Sequence, residues 1–202
     1  MTRPLILGLT GSIGMGKSAV AAMFEAHGVP VFDANAEVRA MQGPGGPVLG
    51  AIEAAFPGTT GPEGVDRGKL GALVFGNREE LARLEAIMHP AVAQRRTAFL
   101  AENSDAPIIV FDIPLLFEKG GAGGVDRVVV VSAPHPVQRE RVLAREGMTE
   151  EKFEQILALQ TPDSDKRARA DHVIDTGQSL AETEAEVAEL IAQLKTERPS
   201  PA

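Results

Sequence analysis

Cysteine, tryptophan and tyrosine are absent from this sequence of 202 residues. Without cysteine the chain can form no disulfide bond, no thiolate metal site and no thiol nucleophile. The sequence also lacks any apolar run of the roughly 18–20 residues that a membrane-spanning helix needs, and its first residues do not resemble a secretory signal. We therefore expect a cytoplasmic protein with no membrane partner.

Positive charge is scarce as well, since 20 lysines and arginines are outnumbered by 28 aspartates and glutamates. The net charge of −8, together with the lack of tryptophan and tyrosine rings on which bases could stack, argues against nucleic-acid binding. Hydrophobic residues make up 44% of the chain, which is ordinary for a globular protein and excludes disorder as its main state.

Five short apolar segments predict β-strands. They lie at residues 4–9, 29–32, 107–111, 125–131 and 172–174. Periodicity and capping signals predict helices at residues 16–27, 137–145, 149–160 and 179 to about 195. Apolar runs without alternation are typical of parallel strands buried on both faces. The order strand, helix, strand near the N-terminus is that of a βαβ unit, so the predicted fold class is α/β with a doubly wound parallel sheet.

The segment from residue 34 to about residue 102 carries no strand signal and is predicted to be an all-helical insertion. Glycine- and proline-rich stretches at residues 43–47 and 57–64 interrupt it. Asn77 followed by Glu80 predicts the start of a helix over residues 78–88. Because proline lacks a backbone donor and restricts the residue before it, His89 and Pro90 predict a break or kink at that point.

A phosphate loop follows the first predicted strand, where GSIGMGKS at residues 11–18 satisfies the pattern G-x-x-x-x-G-K-[ST]. Glycines let backbone N–H groups wrap an anion, and the following helix offers its positive N-terminus to phosphate. Lys17 is expected to reach the β- and γ-phosphates, and the Ser18 hydroxyl is expected to bind Mg²⁺. The predicted ATP contacts are Gly11, Ser12, Ile13, Gly14, Met15, Gly16, Lys17, Ser18 and Ala19.

The same residues also fit a dinucleotide-binding fingerprint, G-x-G-x-x-G/A, through Gly14, Gly16 and Ala19, with Asp33 as the ribose-binding acid. In that motif the glycine turn follows its strand tightly, whereas residues 10–13 intervene here. Lys17 would also have no role in it. The phosphate loop is therefore the preferred interpretation.

A phosphate loop indicates nucleotide binding but not a reaction. The sequence has neither the Asn-Lys-x-Asp motif nor the Asp-x-x-Gly switch of GTPases. A small-molecule kinase needs, besides the loop, a base near the acceptor hydroxyl and cations over the phosphates. These requirements direct attention to acidic residues at strand ends and to clustered arginines.

Two acidic residues follow predicted strands, at the edge where open α/β sheets bind ligands. Asp33 is either the base for the acceptor hydroxyl or a cap for the next helix. Asp112 is either a ligand of Mg²⁺, directly or through water, or simply a polar strand end. His89, beside Pro90, is by itself more typical of a hinge or core contact than of a substrate ligand.

Three arginines lie on one predicted helix at Arg139, Arg141 and Arg145, and the last two share a face by their i, i+4 spacing. They are either cations of a lid over the phosphates or part of a solvated face with Glu140 and Glu146.

Beyond the loop, several motifs occur along the chain in a fixed order. They are LTGSIGMGKS at residues 9–18, FDAN at 32–35, LVF-NR at 73–78, IMHP at 87–90, IPLLFE at 113–118, QRERVLAR at 138–145 and ADHVIDTG at 170–177. With these motifs, spread over residues 4–195, the sequence resembles the dephospho-CoA kinase family. The phosphate loop is generic, whereas IMHP, IPLLFE and ADHVID in this order are far more specific.

The resemblance implies a phosphate-loop core at about residues 1–35, 106–131 and 167–202, a helical CoA-binding insertion at about 36–105 and a helical lid at about 132–166. It implies transfer of the γ-phosphoryl group of ATP, with Mg²⁺, to the ribose 3′-hydroxyl of dephospho-CoA, the last step of coenzyme A synthesis. The residues it carries over are Lys17, Asp33 and Arg141 as catalytic, Arg145 as ATP-binding, and Asp33, His89, Pro114, Leu115 and Leu116 as substrate-binding.

Four positions depart from the family pattern. Ser12 and Met15 replace residues that are usually glycine and serine, at positions that the loop motif leaves open. Asn35 stands where the family usually has a second aspartate, and Thr176 replaces the usual asparagine after the last predicted strand, on the adenine side of the site that the resemblance implies. Two other functions fit the loop: another small-molecule kinase, such as one acting on a nucleotide, and a nucleotide-binding protein without activity.

Overall fold

The computed structural model describes residues 3–118 and 123–196. The core segments expected at residues 106–131 and 167–202 include residues 119–122 and 197–202, which lie outside this described part. The chain divides into two compact units, one formed by Met1–Phe32 with Asn103–Ala202 and the other by Asp33–Glu102.

Seven strands occur in the described residues. They are β1 (Leu5–Thr10), β2 (Val31–Asp33), β3 (Thr60–Gly61), β4 (Gly64–Val65), β5 (Ile108–Asp112), β6 (Arg127–Ser132) and β7 (His172–Asp175). Five of them form one sheet in the order β2-β5-β1-β6-β7, and β3 pairs with β4 in a separate hairpin.

Nine helices occur in the same described ranges. They are α1 (Lys17–Ala26), α2 (Ala34–Met41), α3 (Leu49–Ala55), α4 (Arg67–Val74), α5 (Arg78–Glu102), α6 (His135–Leu143), α7 (Glu150–Ala158), α8 (Asp163–Ala168) and α9 (Leu180–Thr196). None of them combines the length and the apolar character that crossing a membrane requires.

The large sheet is built around β1, which pairs in parallel with β5 on one side and with β6 on the other. β6 in turn pairs in parallel with β7. Side chains from its middle strands, such as Leu7, Ile109 and Val129, have no exposed surface, as expected for strands covered on both faces. The predicted α/β fold with five parallel strands is confirmed, with small shifts at the strand ends.

The core of the first unit lies between the sheet and the pair of helices α1 and α9, which pack against each other. α1 turns Val20 and Phe24 inward at the i, i+4 spacing of one helix face, and both are fully buried. α9 contributes Val187 and Leu194 to the same cluster. This packing fixes α1 behind the loop that precedes it.

The second unit corrects the expectation of an all-helical insertion, because β3 and β4 form a short antiparallel hairpin within it. Each strand has only two residues, too few to produce an alternating pattern in the sequence. The hairpin is held by contacts from elsewhere in the unit: Val65 N–H donates to the Gln42 carbonyl at 2.8 Å. Local sequence could not reveal a strand that depends on such a partner.

The helix α5 corrects a second expectation, because it runs through Pro90 without a break. The predicted start is confirmed, since the Asn77 side chain accepts from the N–H groups of Glu79 and Glu80 at 3.1 and 3.3 Å. Pro90 removes one backbone hydrogen bond from the helix. α5 also packs against α2, α3 and α4, and this packing holds the helix together where the local sequence disfavours it.

We expect Phe24→Ala to destabilise the first unit, because it empties a fully buried site between α1 and the sheet. The expected loss in the free energy of unfolding is about 3–5 kcal/mol, measured by urea unfolding. Leu159→Ala, at a side chain that is 81% exposed, is the control and should change it by less than about 0.5 kcal/mol. Equal effects of the two variants would contradict this description of the core.

Candidate active site

The loop between β1 and α1 occupies residues 11–16 and turns sharply around two glycines. Gly14 and Gly16 have φ angles of +77° and +82°, which residues with a side chain rarely adopt. Space is equally restrictive, because a Cβ atom on Gly14 would lie 2.4 Å from Cγ2 of Val142. The glycines of the motif are therefore required both by backbone conformation and by packing.

Backbone donors are left free along this loop. Within the described ranges of the chain, the N–H groups of Gly14, Gly16, Lys17 and Ser18 meet no protein acceptor. Lys17 and Ser18 are also the first residues of α1, where the helix dipole adds positive potential. Together these groups form a site for an anion with several oxygens.

The Lys17 side chain forms an ion pair with Asp112. Lys17 begins α1 and Asp112 ends β5, the strand beside β1. The Asp112 side chain is only 6% exposed, so the lysine is its compensating charge. The pairing places a carboxylate and an ammonium side by side at the mouth of the loop.

A cavity of about 380 Å³ opens onto the loop. Of the side chains named by the sequence analysis outside the loop, Pro114 and Arg145 line it. Ile156 and Gln160 line it too, and the sequence patterns do not indicate either of them. The loop contributes the full run of predicted ATP contacts, which are Gly11, Ser12, Ile13, Gly14, Met15, Gly16, Lys17, Ser18 and Ala19.

Two of these contacts face the protein with their side chains. Ser12 and Met15 are 6% and 3% exposed, and the Met15 sulfur accepts from Ala133 N–H at 3.1 Å. Their side chains are therefore largely buried, and the backbones of these two residues are what the loop offers to a ligand.

Side chains from distant segments hold the loop in place. Nε2 of Gln138 donates to the Ile13 carbonyl at 2.7 Å, and Oε1 of Gln160 accepts from Ile13 N–H at 3.1 Å. The Thr176 hydroxyl donates to the Met15 carbonyl at 2.7 Å. No sequence pattern indicates these partners, because each lies more than a hundred residues from the loop along the chain.

Arg145 does not lie on the helix that carries Arg139 and Arg141, which corrects the expectation that all three occupy one helix and that Arg141 and Arg145 share a face of it. α6 ends at Leu143, and Arg145 follows it in a tightened turn, with its N–H donating to the Val142 carbonyl at 3.1 Å. Arg141 donates from Nη2 to the Thr176 carbonyl at 2.7 Å. Arg139 pairs with Glu150 at the start of α7, with Nε 2.7 Å from Oε1, so it joins two helices on an exposed surface.

Asp33 caps the helix that follows it. Its Oδ1 accepts from the N–H groups of Asn35 and Ala36 at 2.8 and 3.0 Å, while Oδ2 lies 3.6 Å from Nη2 of Arg39. The capping interpretation is therefore confirmed, and Asn35 takes part through its backbone. One carboxylate oxygen caps the helix and the second is left with only a longer contact to an arginine.

The segment after β5 enters the core and is anchored there. Leu116 is buried against Val128 and Val130, so its side chain is part of the core and is not presented to a ligand. Pro114 and Leu115 are partly exposed, and the Pro114 carbonyl accepts from the Thr10 hydroxyl at 3.4 Å. His89 lies in the second unit, exposed on α5.

Glu118 fastens this segment to α8. Its Oε1 accepts from Thr161 N–H at 2.8 Å and lies 2.9 Å from Nζ of Lys166, a lysine with no exposed surface. Burial is the largest single influence and raises the pKa of Glu118, but the Lys166 ammonium, the Thr161 N–H and the N–H of Glu118 itself together outweigh it and hold that pKa below its usual value. The Arg169 guanidinium, 4.2 Å above the Phe117 ring, adds a second anchor.

A parallel α/β sheet whose first strand leads, through a glycine-rich loop, into a helix that begins with lysine and serine defines the phosphate-loop fold. Residues 5–182 match the family model described as dephospho-CoA kinase. The chain therefore belongs to the dephospho-CoA kinase family.

Individual relatives agree with this assignment. The chain is 66% identical to a dephospho-CoA kinase of Novosphingobium aromaticivorans, over 98% of this chain and 99% of the relative. It is 55% identical to a dephospho-CoA kinase of Mesorhizobium japonicum, over 97% of this chain and 100% of that one. A crystal structure of a Thermus thermophilus protein is 36% identical, with a TM-score of 0.79 over 95% of this chain and 98% of that chain.

We expect Glu118→Gln to lower the free energy of unfolding by about 3 kcal/mol at pH 7, because it leaves the buried Lys166 ammonium without its counter-charge. The folded-state pKa of Glu118 is depressed, so its contribution is present above the unfolded value near 4.5 and is lost as the pH falls through the folded value. The difference from wild type should therefore shrink in acid.

Urea unfolding at pH 7 and at successively lower pH values measures this difference. Glu146→Gln, at an exposed carboxylate, is the matched control and should resemble wild type throughout. A Glu118→Gln deficit that stays constant down to acid pH would show that the charge pair is not its cause.

Proposed function

We propose that this protein catalyses ATP-dependent phosphorylation of the ribose 3′-hydroxyl of dephospho-CoA, giving CoA and ADP, the last step of coenzyme A biosynthesis. Family membership supports the choice of substrates. The structural observation that carries the proposal is the loop at residues 11–18, where free N–H groups and Lys17 border a cavity of about 380 Å³. Donors in that arrangement suit the β- and γ-phosphates of ATP. A cytoplasmic location stays a prediction.

Charge stabilisation is the first task of the site, since phosphoryl transfer depends mainly on positioning and on balancing negative charge. In this proposal Lys17 exchanges its pairing with Asp112 for the transferring phosphate. Arg145 lines the same cavity and is suited to contact ATP. Arg141, held on the Thr176 carbonyl, acts as a further cation from the proposed lid at about residues 132–166.

The residues present suit Mg²⁺ as a partner of ATP. Mg²⁺ in such sites is held by one or two protein oxygens, with phosphates and water completing its shell. The Ser18 hydroxyl and the Asp112 carboxylate supply such oxygens, and Asp112 is nearly buried. No group of three or more acidic or histidine side chains suited to a metal occurs among the described residues. When bound, Mg²⁺ neutralises phosphate charge and orients the γ-phosphoryl group.

Asp33 is the proposed base that orients or deprotonates the acceptor hydroxyl. It ends β2, and parallel α/β sheets bind ligands beyond the carboxyl ends of their strands. One of its oxygens caps α2, which fixes the carboxylate, while the other keeps its capacity to accept a proton. Because the two roles use different oxygens, one side chain can both cap the helix and act as the proposed base.

Acceptor binding is assigned to the helical insertion at about residues 36–105 and to the segment after β5. His89, Pro114 and Leu115 are proposed contacts, since each has exposed surface. Leu116 supports this segment from within the core. The anchoring of Glu118 to Lys166 and Thr161 N–H keeps the same segment in place.

A coupled assay of ADP release tests the function directly. With purified protein, MgATP and dephospho-CoA we expect rapid ADP release and mass-spectrometric detection of CoA. Without acceptor, or with nucleoside monophosphates, release should be slower by at least a factor of about 100, because the reacting hydroxyl is not positioned. Faster turnover on a nucleoside monophosphate would favour another kinase, and ATP binding without transfer would favour a non-catalytic protein.

We expect Asp33→Asn to lower kcat by a factor of about 100 or more, the usual contribution of a general base. Asparagine caps helices as well as aspartate does, so the melting temperature and the KM for ATP should stay near the wild-type values. Steady-state kinetics with thermal unfolding measures both. Asp105→Asn, an exposed carboxylate before β5, is the control; unchanged kcat in Asp33→Asn would leave Asp33 with its capping role alone.

A further inference from the structure

Two carbonyl groups of the phosphate loop are held by side chains from outside it. The Ile13 carbonyl accepts from Nε2 of Gln138 at 2.7 Å, and the Met15 carbonyl accepts from the Thr176 hydroxyl at 2.7 Å. Gln138 and Thr176 are 3% and 5% exposed. The Thr176 bond is buried and the Gln138 bond is partly buried, and an unmet polar group in such surroundings is costly.

Each of these carbonyls precedes one of the two glycines with positive φ. In a trans peptide the carbonyl and the following N–H point in opposite directions. Fixing the Ile13 carbonyl on Gln138 thus turns Gly14 N–H away from α6, and fixing the Met15 carbonyl on Thr176 turns Gly16 N–H away from Thr176. These two N–H groups belong to the set that meets no protein acceptor in the described part of the chain.

Packing reinforces the same orientation. A Cβ atom on Gly14 would lie 3.0 Å from the Gln138 carbonyl, and one on Gly16 would lie 3.2 Å from Cβ of Thr176. Each glycine therefore rests directly on the residue that holds its preceding carbonyl. A glycine peptide would otherwise rotate easily, since both signs of φ are open to it.

We propose that Gln138 and Thr176 are positioning residues that orient the Gly14 and Gly16 peptides, so that their N–H groups bind the polyphosphate of ATP. The assignment rests on the proposed function only in taking ATP as the phosphoryl donor. Neither residue touches the reacting atoms. Their contribution is to remove, before ATP arrives, the freedom of two peptides that glycine leaves flexible.

Thr176 is a place where this chain differs from the usual asparagine, and the geometry gives threonine a task of its own there. Its hydroxyl bonds the loop, and its carbonyl accepts from Nη2 of Arg141 at 2.7 Å. The turn after β7 thus connects the loop with an arginine of α6. Gln160, which accepts from Ile13 N–H at 3.1 Å, steadies the same loop residue from the end of α7.

Two variants that remove the donating groups test the proposal; the Thr176 variant also removes the hydroxyl contacts with Nη1 of Arg141 at 3.4 Å and with the Ser132 carbonyl at 3.2 Å. Gln138→Met keeps the length of the side chain, and Thr176→Val keeps its shape. Matched controls are Gln155→Met on the exposed face of α7 and Thr59→Val, which removes a buried hydroxyl donating to the Phe56 carbonyl at 2.7 Å in the other unit. Calorimetric titration with MgATP and with tripolyphosphate, which lacks the nucleoside, gives the affinities.

We expect each test variant to weaken ATP and tripolyphosphate binding by the same factor, about tenfold. The KM for dephospho-CoA should stay within about twofold, because the acceptor does not use these N–H groups. The controls should keep wild-type affinity for both ligands, even where Thr59→Val lowers the melting temperature. Equal loss for a ligand without adenosine separates peptide orientation from any contact with adenine.

Wild-type affinity for tripolyphosphate in a folded Gln138→Met or Thr176→Val protein would overturn the proposal. The affinities are measured without dephospho-CoA, so this test does not depend on the reaction. A wild-type protein that binds tripolyphosphate but does not phosphorylate dephospho-CoA would overturn the proposed function and leave the proposal about Gln138 and Thr176 standing. If one variant does not fold, the other tests its own peptide independently. A loss of ATP affinity with unchanged tripolyphosphate affinity would also contradict it.

Discussion

The path of the backbone between β1 and α1 is the constraint on which the rest of the site depends. Six residues leave the middle strand of the sheet, turn through two glycines with positive φ and enter a helix that begins with Lys17. At Gly14 the loop lies so close to Val142 that no Cβ fits. α1 is in turn held by Phe24 in the core, so apolar packing fixes the helix whose first N–H groups, those of Lys17 and Ser18, belong to the anion-binding donors.

The protein is negatively charged overall, but positive groups are concentrated at the phosphate loop. The chain carries a net charge of −8, yet the loop presents free N–H groups, a helix N-terminus and Lys17 to one cavity. Asp112 compensates Lys17 within the protein, which lets a cation remain poised at a partly buried site. The same principle recurs at Lys166, where Glu118 compensates a lysine with no exposed surface. Charge pairs thus anchor the end of β5 and the segment that follows it.

Several features of the site follow from short stretches of sequence, and others do not. The loop motif, the apolar strand at residues 108–112 and the capping role of Asp33 each depend on neighbours within a few residues, so local patterns predict them. Pro90 shows the reverse, since the sequence predicts a break that the packing of α5 against three helices overrides. Leu116 belongs to a motif shared with the family, but only its burial against Val128 and Val130 shows that its side chain packs in the core.

By itself the sequence determined the α/β class, the phosphate loop and the family, because periodicity, glycine placement and the order of short motifs can be recognised along the chain without knowing which residues meet in space. Only the tertiary structure decided that Gln138, Gln160 and Thr176 hold the loop, that Lys17 pairs with Asp112, and that Arg145 lies beyond the end of α6. The physical reason is that hydrogen bonds and ion pairs form between groups brought together by folding, at sequence separations where no periodic pattern connects the partners.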